Sequence, residues 1–147
     1  MPKIDLEALT AIESTNYPPP HDREVQGRWK KRLGPVAGMN LLGATHILLN
    51  PGAWSSHRHW HDTEDEFLIM LGGEAVLIED EGETVVRAGD MAAFPAGVKN
   101  GHHLVNRSDA DCSFVCLSAG AMTTGGYSDI DMIFSDKGFT RRDGSAF

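Results

Sequence analysis

His59 and His61 flank a single tryptophan, and Glu66 follows five residues later at the head of the apolar run Phe67-Leu68-Ile69-Met70-Leu71. Side chains alternate along a strand, so residues at i and i+2 share a face. Two imidazoles on one strand and a carboxylate opening the next make a donor set suited to a divalent transition metal. His102 or His103, inside a later apolar segment, can supply a fourth ligand. His57 falls on the same alternation as His59 and His61, and is either a cavity residue or an alternate ligand. Burying several unpaired imidazoles in an apolar interior is costly, whereas one metal ion satisfies them together. His21 and His46 stand alone and read as ordinary hydrogen-bonded histidines.

Three neutral imidazoles and one carboxylate leave a dication with a net charge of about +1, and about two open positions if it is six-coordinate. Zn, Mn, Fe, Ni and Co all accept such a set, so the ligands do not name the metal. The centre can polarise a carbonyl or lower the pKa of bound water; with iron it can bind dioxygen. Three classes follow: a metal-assisted isomerase or lyase, a dioxygenase, and a non-catalytic module that binds or senses a small molecule. The ligand expected in each case is a small oxygenated compound: hydroxy-carbonyl, sugar-like or carboxylate. Spacing fixes no general base; His57, Glu64, Tyr17 and Tyr127 are the candidates at the cavity mouth. Lys99 and Arg107 either attract an anionic substrate or are solvated. The acidic stretch Asp62, Glu64, Asp65 would repel highly charged anions.

These residues need strands to position them, and the chain supplies strands. It has 147 residues, 41% of them hydrophobic, enough for one domain with a core. No apolar run approaches the roughly 18 residues that cross a bilayer. With no apolar N-terminal leader, a soluble cytoplasmic protein is expected. A net charge of −8 argues against nucleic-acid binding. Arg28, Lys30, Lys31 and Arg32 form the basic cluster, read as a solvated face with an anion or subunit contact as the alternative. Cys112 and Cys116 share one strand, roughly 13 Å apart at about 3.3 Å per residue, too far to bridge. A reduced, buried pair fits a reducing compartment.

Residues 1–38 read as an irregular arm, with a helical turn near Ala8–Glu13, the breaker Pro18-Pro19-Pro20 and a first strand within Gln26–Leu33. Short apolar runs between turn signals follow across 39–119, the pattern of an all-β domain. The expected strands are Thr45–Leu49, Ser55–His61, Glu66–Leu71, Glu74–Glu79, Thr84–Arg87, Met91–Phe94, His102–Asn106 and Ser113–Ser118, with Asp62–Asp65 as a solvated loop. Residues 120–147 form a polar extension with a short strand at Asp131–Phe134. Met70, Met91, Phe94 and Trp60 are expected in the core or on a cavity wall. Strands of this length without a long helix make a sandwich or a jelly roll, and only a barrel-like jelly roll brings the candidate ligands to one interior. An uncommitted arm and open sheet edges suggest a homodimer in which residues 17–33 cross to or cover the partner.

The sequence resembles the cupin superfamily, whose first motif reads G-x5-H-x-H-x3,4-E-x6-G. His59-x-His61-x4-Glu66-x6-Gly73 satisfies all of it after the opening glycine, and Gly52 sits one residue early. The second motif, G-x5-P-x-G-x2-H-x3-N, maps onto Gly89-x5-Pro95-x-Gly97 and His102-x3-Asn106, with four residues instead of two before the histidine. That longer turn keeps His103 open as the late ligand. An alternate register, His57-Arg-His59-x4-Glu64, fits less well because it leaves seven residues before Gly72. The resemblance covers residues about 41 to 119. It implies the double-stranded β-helix (jelly-roll barrel) and one divalent metal held by His59, His61, Glu66 and His102, although some cupins keep only a polar pocket. The whole chain is similar to small single-domain bacterial cupins, some of them labelled sugar-phosphate isomerases, and a fold alone does not fix an activity.

Overall fold

Alternating apolar and polar residues in short runs, punctuated by Gly, Pro and Asp, leave this chain little choice but strands. A computed structural model describes residues 3–121 and 124–147. In chain order the elements are β1 (Ile12–Glu13), β2 (Arg28–Arg32), the helical turn α1 (Leu33–Val36), β3 (Leu42–Leu49), β4 (His59–His61), β5 (Glu64–Gly72) and β6 (Glu74–Glu79). There follow β7 (Gly82–Arg87), β8 (Met91–Phe94), β9 (His103–Val105), β10 (Cys112–Gly120), β11 (Thr124–Tyr127), β12 (Ile133–Ser135) and β13 (Gly138–Thr140). No helix among the described residues is long and apolar enough to cross a membrane.

One sheet runs β1-β2-β3-β10-β5-β8. A second runs β13-β12-β11-β4 and a third β7-β6-β9. The last two meet at a seam where His59 and His102 exchange both backbone hydrogen bonds, His59 N to His102 O at 3.2 Å and back at 3.0 Å. The result is an all-β jelly roll. Its interior is apolar at one end, where Leu49, Leu68, Met70, Ala75, Leu77, Leu104, Cys112 and Phe114 are buried together. The strand alternation that buries these residues also turns Thr45, Ile47, Glu64, Glu66, Cys116 and Ser118 toward a cavity in the same interior.

Several boundaries differ from the sequence reading. Residues 55–58 are bends, so the strand expected at Ser55–His61 is only β4 and His57 does not share the face of His59 and His61. The expected loop at Asp62–Asp65 is shorter, because β5 begins at Glu64 and pairs with β10 as far as Gly120. Glu64 is therefore two residues from Glu66 on one strand, and it is buried. Met91 is exposed: it pairs with Ile69 on the outward parity of β5 and β8, while Phe94, opposite Glu66, points in. Trp60 lies between the two histidines of β4 and so takes the opposite face, half-buried, its indole against Gly126. The turn expected near Ala8–Glu13 gives way to β1 at its end, paired with β2.

Arm and tail are both built into the sheets. β2 pairs with β3 along its whole length, and β11 pairs with β4. Tyr17, from the arm, stacks on Phe139 at 5.5 Å and meets Tyr127 edge-on at 5.6 Å, so the two ends of the chain pack on one another. Gly73, which closes the first motif, has φ +68°, and a Cβ there would stand 2.6 Å from the Asp111 carbonyl oxygen. Only glycine makes that turn at no cost.

Candidate metal centre

The seam and the opposite sheet together create the site. A hydrogen-bonded antiparallel pair places its two side chains on one face, close together. The imidazoles of His59 and His102 accordingly lie 5.0 Å apart, and His61, two residues along β4, has its ring 5.0 Å from His59. Glu66 reaches them from β5. Its Oε2 is 3.9 Å from His59 Nε2, 3.2 Å from His61 Nε2 and 3.4 Å from His102 Nε2. Donor atoms that sit about 2.1 Å from a common ion stand roughly 3–4 Å from one another. One ligand atom each from His59, His61 and Glu66 falls within 4.8 Å of the others, so these three form a metal-competent group with His102 beside them.

The surroundings prepare these side chains as ligands. His59 Nδ1 donates to the His57 carbonyl at 3.0 Å, which leaves the lone pair on Nε2, facing the cluster. Burial, helped by His102 and His61 against the pull of Glu66, lowers the His59 pKa to about 3, so the ring is neutral as a metal ligand must be. Burial also depresses His61, but the hydrogen bond and charge of Glu66, with the charges of Glu64 and Asp62, outweigh it and raise its pKa. Glu64 Oε2 stands 3.2 Å from His61 Nδ1, a carboxylate behind the imidazole. Burial opposes ionisation of Glu66, yet the hydrogen bonds from His102 and His61 hold its pKa well below the usual carboxylate range. Its other oxygen accepts from the Cys116 thiol at 2.8 Å. Phe94 stacks flat on His102, with ring centroids 3.5 Å apart. On donor chemistry, spacing and the His59 tautomer, the residues present fit a divalent transition metal.

The remaining candidates do not join the cluster, although Tyr17 and His103 line the same cavity. His57 Nε2 bonds the His21 carbonyl at 2.8 Å, and the ring is wedged between Tyr17, His21 and Trp54, away from the carboxylate. His103 has the opposite parity to His102; its Nδ1 donates to the Ser56 carbonyl at 2.7 Å and its ring meets Trp54 edge-on. Tyr17 and Tyr127 share a hydrogen bond, and burial raises both phenols, so neither is a base near neutral pH. Arg107 is spent on Glu83, at 2.6 and 2.8 Å, and Lys99 is exposed. Asp62 accepts from Thr124 Oγ1 and Asp65 from the Ala96 amide, both at 2.8 Å, so the acidic stretch is engaged locally.

The cluster opens into a cavity of about 350 Å³, within the range of small-molecule sites. A second cavity, lined by Asn16, Tyr127, Phe134 and Phe139, reaches His59 and His61 from the side where arm and tail meet. Sequence reasoning gave no role here to Cys116, and read Arg28 and Lys30 as a solvated face with an anion or subunit contact as the alternative. All three line the main cavity. The strict alternation of β2 and β10 was the available signal.

Comparison with known proteins agrees with the fold. The cupin domain family matches residues 45–118. A sugar phosphate isomerase of the cupin superfamily from Silicibacter pomeroyi is 41% identical, with TM-score 0.94 over 99% of this chain and 96% of that one. The chain belongs to the cupin superfamily. More distant likenesses show the fold alone: a polyketide cyclase from Streptomyces resistomycificus, 20% identical, TM-score 0.66, covering 81% of this chain and 79% of that one; and a predicted oxalate decarboxylase from Thermotoga maritima, 20% identical, TM-score 0.66, covering 81% and 99%. No curated protein matches the sequence.

Proposed function

We propose that this cupin is a metal-dependent enzyme that carries out isomerase or lyase chemistry on a small hydroxy-carbonyl, sugar-like or carboxylate compound. The observation that carries the reading is the convergence of three Nε2 atoms on one carboxylate oxygen at 3.2 to 3.9 Å. His59, His61, His102 and Glu66 would hold the ion. When bound, a dication supplies Lewis acidity that draws electrons from a carbonyl oxygen and makes a neighbouring C–H more acidic. Glu64, on the cavity wall with its Oε2 3.2 Å from His61 Nδ1, is the carboxylate placed to take such a proton and return it to the adjacent carbon. Leu68, Phe94, Leu104 and Phe114 form the dry side of the cavity and limit access of water to the reacting carbons. The likeness to the Silicibacter pomeroyi sugar phosphate isomerase supports isomerisation among the reactions such a site permits.

Thermal denaturation against a panel of hydroxy acids, sugar phosphates and dicarbonyls tests the reading. A ligand that binds the folded state raises the melting temperature by mass action. The expected result is a rise that requires bound metal, followed by interconversion of the stabilising compound. Equal shifts with and without metal would place the ligand elsewhere.

A further inference from the structure

The basic cluster of β2 is split by strand alternation. Trp29 and Lys31 face outward with His46 and Leu48, and Lys31 Nζ donates to the Leu6 carbonyl at 2.7 Å. Arg28 and Lys30 face inward and line the cavity that holds the histidines. Arg28 is 8% exposed, yet no carboxylate lies within ion-pair distance of it among the described residues. Its terminal nitrogens donate to the carbonyls of Ser55 and Ser14, while Nε is fully buried with no acceptor. Lys30 is half-buried, and no acceptor among the described residues meets its ammonium group. Burial, with the charges of Arg28 and Arg32, pulls its pKa down. Two unpaired cations on the wall of one cavity are expensive unless something negative completes them. The carboxylates sharing this cavity are already engaged, Glu66 with the histidines and Cys116 and Glu64 with His61.

We infer that Arg28 and Lys30 form an oxyanion subsite, which takes the carboxylate or phosphate end of a ligand whose other, oxygenated end faces the histidine cluster. The inference rests on the proposed function and adds the charge and shape of the substrate. β2 and β5 are separated by β3 and β10, a path of about 14 Å along the curved sheet and less across the barrel. Lys30 pairs with Ile47 on a row that ends at Met70, and Glu66 lies four positions along β5 from that row, so the span is diagonal and Ile47 is the apolar side chain on it next to Lys30. A short carbon chain with an anionic group at one end and adjacent oxygens at the other matches that order of polar, apolar and polar surface. Arg28 also ties down the arm through Ser14, so the test rests first on Lys30.

Inorganic phosphate and malonate are titrated calorimetrically into the full chain as purified, at low ionic strength, with metal content measured in parallel. Losing one charge-assisted hydrogen bond should weaken binding about tenfold or more, so Lys30→Met should show that loss and Lys31→Met none. His61→Ala should lose metal but keep the anion. The tighter of the two probes separates a phosphate from a carboxylate preference. Anion binding that disappears in His61→Ala and survives Lys30→Met would overturn the subsite, because the anion would then sit on the metal. Absence of any anion binding to the wild-type chain at millimolar concentration would overturn it too. A wild-type chain that takes up no metal but binds phosphate through Lys30 would instead remove the metal reading and leave the subsite standing.

Discussion

Glu66 is gripped from both sides: Oε2 faces three imidazoles and Oε1 accepts from the Cys116 thiol at 2.8 Å. Partners that orient a metal ligand typically matter 10- to 100-fold in affinity. Cys116→Ala should therefore weaken metal binding about tenfold, and Cys116→Ser, which keeps a donor, should recover part of it. Competition with a chromophoric chelator measures both; an unchanged affinity in Cys116→Ala would separate the thiol from the site. Glu64→Gln should weaken affinity by a similar factor through His61 Nδ1, and Lys99→Ala should do nothing. His59, His61, Glu66 and His102 were legible in the sequence because their geometry follows from strand parity and motif spacing. Cys116 was not, and for Arg28 an anion contact was only the alternative to a solvated face, since which residues face the cavity depends on which strand of the sheet lies opposite them. His57 misled for a local reason: residues 55–58 bend, and alternation holds only inside a strand.

At the scale of elements, the interiors of the strands were plain and their ends were not. β6 and β8 run as the apolar runs and flanking turns predict, whereas β5 starts two residues early and β4 four residues late. Both displaced ends lie at the site, where charged side chains face inward against the usual pattern. Asn106, the closing residue of the second motif, is fully buried; it donates to the Leu49 and Ala110 carbonyls at 2.9 and 2.8 Å and accepts from Ser108. The motif asparagine thus holds the 106–110 turn against β3. Gly73→Ala combines a positive φ with a Cβ 2.6 Å from a carbonyl oxygen. It should lose about 2 kcal/mol or more in urea unfolding, and a loss within about 0.5 kcal/mol would show that the turn relaxes. Leu49→Ala, at a fully buried position, should cost about 2–5 kcal/mol.

Over the whole molecule, the chain folds its arm and tail across the histidine side of the barrel. Tyr17 from the arm and Phe139 from the tail stack, and Phe139 with Tyr127 walls the second approach to His59 and His61. Composition could not announce this, because the contact joins residues more than a hundred positions apart. The polar tail, with a single short strand expected in it, supplies three strands of a four-stranded sheet. The proposed activity depends on an ion held at the histidine cluster. Elemental analysis of the full chain, purified with and without added divalent metals, is the direct test. The account predicts about one ion per wild-type chain and loss of most of it in His61→Ala, whose donor set falls to three. A wild-type chain that takes up no metal, or full occupancy in His61→Ala, would contradict it.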